Sequence, residues 1–307
     1  MKKKKIIVAG ATILCTIIVA ISLYINSALN KTQKTTLDEN KLGIVKKDNS
    51  KVKNIALFGI DAVEGDLGRS DSIMIISIDQ KHSNIKISSL VRDSYIDIGN
   101  HGKDKLNHAY AFGGPELAIK TINQNFELDV DDFVSVNFST LPKIVDILGG
   151  VEVEVYKDEV DNINDYIQDN NHRNNTNSPG IQGAGMQTLN GTQALAYCRI
   201  RYTDGGDIRR TERQRTVIAS LMKKAPELSV IDYPNLLNEI LPMVETSLTN
   251  SEIIKFASKG LGMLNIEIAQ KAFPSEDFSK SEIIDGIYYL TFDKEATVKE
   301  LHEYIYE

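Results

Sequence analysis

Apolar positions fall into three regimes along this chain. Ile6 to Ile25 is a run of 20 uncharged, mostly apolar residues. Residues 26–53 are polar and rich in lysine, with little periodicity. From Asn54 onward, short β-branched runs alternate with helical stripes. At about 1.5 Å per residue the first run spans roughly 30 Å, the thickness of a bilayer core, and it predicts a transmembrane helix over 6–25. Lys2–Lys5 precede it, so the positive-inside rule places a tail of residues 1–5 in the cytoplasm and the rest outside, on a single-pass plasma-membrane anchor. A cleaved signal peptide is the competing reading. Its apolar core is usually shorter, about 7–15 residues, and no small-x-small site follows Ile25. Residues 26–53 then form a juxtamembrane linker, and 54–307 an extracytoplasmic domain.

Within that domain IALFGI (55–60), SIMIISI (72–78) and IKISSLV (85–91) are bounded by turn residues and predict strands. The first two are almost continuously apolar, as in a sheet covered on both faces. Gly114-Pro115 opens a helix with the stripe Leu117, Ala118, Thr121 and Ile122. FVSVNF (133–138) predicts a strand, Ser139 a helix cap, Gly149-Gly150 the end of that helix, and VEVEV (151–155) a strand with one wet face. Residues 161–185 carry seven asparagines and predict a long exposed loop. ALAYCRIRY (194–202) predicts a strand and Arg209–Lys224 a helix. The last eighty residues alternate helical patterns with one strand, GIYYLTF (286–292), and close with a helix from Lys294. Strands alternating with helices predict an α/β layered domain.

The net charge of −7, more negative still without Lys2–Lys5, excludes broad binding to nucleic acid, which needs a basic surface. Any anion must be held by a local basic cluster. Two cysteines, Cys15 in the apolar run and Cys198 alone outside it, exclude a cysteine zinc site and predict no disulfide. No nucleophile elbow or P-loop is present. His101 and His108 have no ligand spacing to another histidine.

The arginines change the picture. Lysines number 26 and arginines nine, yet six of the arginines lie between Arg199 and Arg215, where no lysine occurs. Guanidinium is a planar fork that binds phosphate bidentately and keeps its proton; ammonium does neither. On the predicted strand, Arg199 and Arg201 would share a face roughly 6–7 Å apart. Side by side they would be costly without an anion between them. Asp207 is placed to cap the next helix, on which Arg210 and Arg213 share a face with Gln214 nearby. The helix N-terminus adds N–H groups toward the same anion. Asp61, Arg69, Asp71, Arg92 and Asp93 stand at predicted strand ends, where α/β folds place their sites. Carboxylates among arginines serving one polyanion suggest a hard cation such as Mg²⁺. Cys198 alternates out of phase with Arg199 and Arg201 and is expected in the core.

NIALFGID, GRSDSIMIISID, ISSLVRDSYIDI, DKLNHAYAFGGPELAIKTI, DFVSVNFSTLPKIVDILGGVEVEV and LNGTQALAYCRIRY leading to GDIRRTERQR occur in that order over roughly 54–222. The chain resembles the LytR–CpsA–Psr proteins of Gram-positive bacteria. The resemblance implies an α/β/α layered fold with a central mixed sheet. It also implies a phosphotransferase that moves a glycopolymer from an undecaprenyl diphosphate carrier onto peptidoglycan. By the same resemblance Asp61 and Asp71 would hold Mg²⁺ or Mn²⁺. Arg69, Arg92, Arg199, Arg201 and Arg210 would neutralise the diphosphate, with Asp93 orienting Arg92 or the metal. Asp207 would activate the acceptor hydroxyl and Gln214 complete the hydrogen bonding. The family usually has an arginine two residues after Asp61; here Val63 stands there, and the contact is either missing or supplied by Arg209. A lipid-diphosphate hydrolase using the same clamp, or a non-catalytic binder of phosphorylated glycan, stay open as alternatives.

Overall fold

The computed structural model describes residues 24–44, 52–62, 67–79, 84–201, 206–225, 233–261 and 268–307. The predicted membrane span lies almost wholly outside these, as does Val63; among the described residues no helix is long and apolar enough to cross a membrane. The domain is organised on a seven-stranded mixed sheet. From one edge its strands run Gln33–Lys34, Val244–Thr246, Asp132–Asn137, Val52–Asp61, Arg69–Asp79, Asn84–Leu90 and Ile268–Phe273. Val52–Asp61, Arg69–Asp79 and Asn84–Leu90 are antiparallel to one another, while Asp132–Asn137 and Ile268–Phe273 join the two flanks of this trio in parallel.

Burial on both faces explains the continuous apolar runs. Ile73 and Ile75, with Ala56 and Phe58, pack under the helices His108–Phe126 and Lys294–Tyr306. Met74 and Ile76, with Ile85 and Ile87, turn the other way and meet Ala219 of helix Gly206–Lys224. That is an α/β/α layering. A third cluster fills a lobe beside the sheet, built from helices Leu141–Ile147, Val160–Asn174 and Gly191–Arg199 and the antiparallel strand pair Val151–Val155/Gly185–Leu189.

Several sequence expectations are corrected here. Only 175–184 of the expected loop 161–185 is irregular: 160–174 are helical and 185–189 pair with VEVEV. Ile163 and Ile167, four apart, are almost wholly buried, and each such burial stabilises by about 1.5–3 kcal/mol, enough to outweigh the asparagines' weak helix propensity. Asn175 ends the helix in the left-handed conformation that asparagine tolerates (φ 50°). ALAYCRIRY is not a strand either. Asn190 and Gln193 form a reciprocal capping box, and Gly191–Arg199 is a helix whose Ala194–Cys198 stretch is buried. Ser139 caps nothing; Asn137 accepts from the Ser139 N–H instead, in a 3-10 turn before Leu141–Ile147. Helix His108–Phe126 is kinked at Gly113 and Gly114, so its straight part does begin at Pro115.

Among the described residues of the C-terminal region three strands join Ile287–Phe292, namely Val244–Thr246, Ile268–Phe273 and Ser279–Ile284, which are too short or too polar to stand out in the sequence. The described part of the expected linker is built into the domain. Ala28, Leu29 and Leu42 are buried, Gln33–Lys34 forms the sheet edge, and Asn250 Nδ2 donates to Asn26 and Asn30.

Candidate functional site

A cavity of about 350 Å³ lies at the end of the central strands, lined by Asp61, Asp71, Phe138, Tyr166, Arg173, Cys198, Arg199, Arg201, Arg210 and Gln214. Four guanidiniums face two carboxylates there, in a chain whose net charge is −7. Local backbone irregularities deliver the two carboxylates. A β-bulge at Gly59/Ile60 leaves Asp71 without a partner in the ladder, since Gly59 pairs with Ser72 and Ile60 with Ser70. Bulges of this kind re-aim a side chain. Asp61 is the last residue of its strand, and Asn137 Nδ2 ties the next carbonyl, that of Ala62, to the neighbouring strand. Gly68 (φ 66°) lets the chain return beside it, where a Cβ would stand 2.7 Å from the Asp61 carbonyl oxygen.

Arg199 and Arg201 both reach the cavity, but not across a pleat. Arg199 ends helix Gly191–Arg199 and Arg201 follows the turn of chain at Ile200. That turn is fixed from behind. Arg213, nearly buried, donates through Nη1 to the Ile200 carbonyl at 3.2 Å and through Nε to Glu159 at 2.7 Å. Arg209 also reaches Glu159, at 3.4 Å, and lies over the Tyr156 ring. Neither Arg209 nor Arg213 lines the cavity. Arg209 is directed at Glu159 and Tyr156, and Arg213 at Glu159 and Ile200, whereas Arg210 faces the cavity.

Behind the cavity wall runs a charge relay. Arg92 Nη1 donates to Asp71 Oδ1 at 2.8 Å, where Asn107 Nδ2 also donates. Arg92 Nε stands 3.4 Å from Asp93 and 3.5 Å from Asp207, and Lys105 Nζ meets Asp93 at 2.7 Å. Burial pushes the Asp71 carboxyl up, but Arg92, Arg210 and Asn107 outweigh it and hold the group below the usual carboxylate range. Asp207 is the second residue of its helix rather than a cap, and its carboxylate sits between Arg92 and Arg210 (3.0 Å to Nη2). It is not among the residues lining the cavity and holds two arginines, Arg92 and Arg210. Arg69, Arg92 and Asp93 do not line it either. Arg69 is exposed, opposite Asp61 in the ladder.

Arg210 carries the clearest electrostatic signature. Burial, and the nearby cations Arg92 and Arg201, bring its pKa down to about 10 despite Asp207 and Asp71. Its buried Nε has no hydrogen-bond partner. A guanidinium this crowded by its own kind has room for an anion's charge. Cys198 is 2% exposed and burial pushes its thiol up to about 12, so it is not a thiolate nucleophile at neutral pH.

A second cavity of about 250 Å³ continues from the first and shares Phe138, Cys198 and Gln214 with it. Its walls are apolar: Leu57 and Met74 from the sheet, Leu141 and Ile144 from one helix, Val217 and Leu221 from another. Sequence reasoning missed Phe138, Tyr166 and Arg173. Tyr166, Asn170 and Arg173 follow helical spacing, a signal that the seven asparagines of 161–185 mask. Among the described residues no three acidic, histidine or cysteine side chains gather around a metal position. Asp61 and Asp71 alone could face a cation. Two carboxylates, with phosphate and water completing the shell, is how Mg²⁺ is commonly held, so the residues fit.

Comparison with known proteins agrees with this geometry. The LytR_cpsA_psr family model matches residues 19–304. A polyisoprenyl-teichoic acid–peptidoglycan teichoic acid transferase TagU of Enterococcus faecalis is 33% identical over 239 residues, covering 76% of this chain and 73% of its own. The TagU of Bacillus licheniformis is 32% identical over 253 residues, 81% of this chain and 76% of its own. A solved structure, TagT bound to LIIa-WTA, superposes with a TM-score of 0.71 at 25% identity over 88% of this chain and 99% of that one. The chain belongs to the LytR–CpsA–Psr family and is a transferase of that family.

Proposed function

We propose that this transferase moves a glycopolymer from an undecaprenyl diphosphate carrier onto peptidoglycan, on the outer face of a plasma membrane to which a helix over 6–25 anchors it. The observation that carries the proposal is the junction of the two cavities. An arginine-lined chamber opening into an apolar groove is complementary to a diphosphate that bears a polyprenyl tail. The TagU relatives, named for polyisoprenyl–teichoic acid and peptidoglycan, support the same substrate pair.

In this reading Arg199, Arg201 and Arg210 grip the diphosphate oxygens while Phe138 and the apolar walls take the first isoprene units. Phosphoryl transfer needs charge neutralisation and in-line positioning more than covalent chemistry by the protein. An acceptor hydroxyl attacks the phosphorus next to the glycan, and undecaprenyl phosphate departs along the apolar groove. Asp61 and Asp71 would hold Mg²⁺ or Mn²⁺, which when bound neutralises further charge on the diphosphate. Asp93 and Asp207 keep Arg92 and Arg210 in place. Purified chain, an undecaprenyl-diphosphate-linked saccharide and peptidoglycan fragments test the proposal. A covalent saccharide–peptidoglycan product is expected. Release of free saccharide alone would assign a hydrolase instead, and no turnover with retained binding would assign a binder.

A further inference from the structure

A third cavity, about 680 Å³, meets the arginine chamber on another side and shares Arg173 and Arg199 with it. Helix Leu141–Ile147 is the partition: Leu141 and Ile144 line the apolar groove, whereas Pro142, Lys143 and Asp146 line this one. The wall is tightly built. Gly191 N–H donates to Asp146 Oδ1 at 2.7 Å, and a Cβ on Gly191 would come within 2.1 Å of the Pro142 carbonyl oxygen.

Apart from Arg199, which the arginine chamber shares, the charged groups of this third cavity are already engaged. Lys143 faces Glu239 at 3.4 Å, Arg173 faces Asp169 at 2.9 Å, and Asp146 accepts from Gly191. What it offers a ligand is neutral: the hydroxyls of Ser139, Thr176 and Thr192 and the amide of Asn170. Asn170 is 1% exposed. Its Oδ1 accepts from Arg199 Nη1 at 3.1 Å, which fixes the orientation of the amide, because guanidinium only donates. Its Nδ2 is buried with no partner. A buried donor left unsatisfied is costly, so an acceptor brought by a ligand is the economical explanation.

We infer that this groove seats the acceptor saccharide, with Asn170 Nδ2 donating to a sugar oxygen while Asn170 Oδ1 holds the phosphate-gripping Arg199. The inference rests on the transfer reading above and deepens it. In-line displacement needs the attacking hydroxyl and the departing oxygen on opposite sides of phosphorus. The two grooves join the arginine chamber at different residues and are separated by one helix, which suits acceptor and leaving lipid respectively. Hydroxyls and a carboxamide, beside an Arg199 that already serves the arginine chamber, suit a neutral sugar better than a second phosphate.

The test uses the full chain and a soluble peptidoglycan glycan fragment of a few sugars. Asn170→Asp keeps the Arg199 contact and removes the Nδ2 donor, and Thr192→Val removes a hydroxyl at nearly constant shape. Both are expected to weaken fragment binding, read without donor present, by tenfold or more. In transfer assays both should raise the acceptor KM, while Thr192→Val leaves affinity for the lipid diphosphate unchanged. Fragment binding absent in the wild type, or equal in the wild type and both variants, overturns the groove. Fragment binding that is lost in the variants, in a chain that forms no covalent product, supports the groove and overturns the transfer reading.

Discussion

Arg199, Arg201 and Arg210 face the cavity; Arg209 and Arg213, from the same short segment, do not. Residue type cannot separate the two groups, and neither can distance along the chain. The separating variable is the carboxylate supply. Glu159, itself 1% exposed, receives Arg213 at 2.7 Å and Arg209 at 3.4 Å, so those two are spent inside the protein. Arg210 must share Asp207 with Arg92. Arg201 appears in no side-chain ion pair among the described residues. Among these five, surplus positive charge marks the substrate side and neutralised charge the frame that shapes it; Arg215, buried with Nε and Nη1 unpartnered and away from the cavity, follows neither pattern.

The sharpest way to break this contrast is to remove the frame. Glu159→Ala strands Arg213 in the interior and should cost about 3–5 kcal/mol of stability, read by urea unfolding. Unchanged stability with lost transfer would move Arg213 into the site. Next comes Arg201→Ala, expected to lower turnover by about 10²–10³-fold, as loss of one charge-stabilising donor does, with an unshifted unfolding midpoint. A large drop in the midpoint would make Arg201 part of the frame.

Asp71→Asn probes the boundary between the groups. Because the folded state depresses the Asp71 pKa, its stabilisation is present above the ordinary carboxylate value near 4 and fades as pH falls through the lowered one. The variant should therefore be less stable than wild type by about 1–3 kcal/mol at pH 7, and the gap should close as pH falls below the lowered Asp71 value. A gap that persists in acid would mean that the Asp71 charge is not its cause. The smallest effect is expected for Arg209→Ala, about 0–1 kcal/mol, since its pair with Glu159 is long and the arginine partly exposed. Calorimetry showing several kcal/mol would mean that Glu159 needs both partners.

The central strands were legible because alternation and continuous apolar runs report burial directly, as Ile73–Ile76 do. The arginine cluster was legible from composition. Its geometry was not: the reading put Arg199 and Arg201 on one strand face, whereas a helix end and the following residue bring them together. The Asn190–Gln193 capping box was in the sequence and outweighs the β-like look of YCRIRY. Tertiary burial of Ile163 and Ile167 decides the fate of 161–174, and no local count of asparagines reveals it. Asp71's bulge depends on pairing between strands and is invisible in either one alone.

Cys198 closes the account from a different direction. Its sulfur sits at the seam where the arginine chamber meets the apolar groove. A protonated, enclosed thiol is a poor target for peroxide and for disulfide exchange, both of which act on thiolates. The fold can thus keep a soft atom beside its most positive surface without making it reactive.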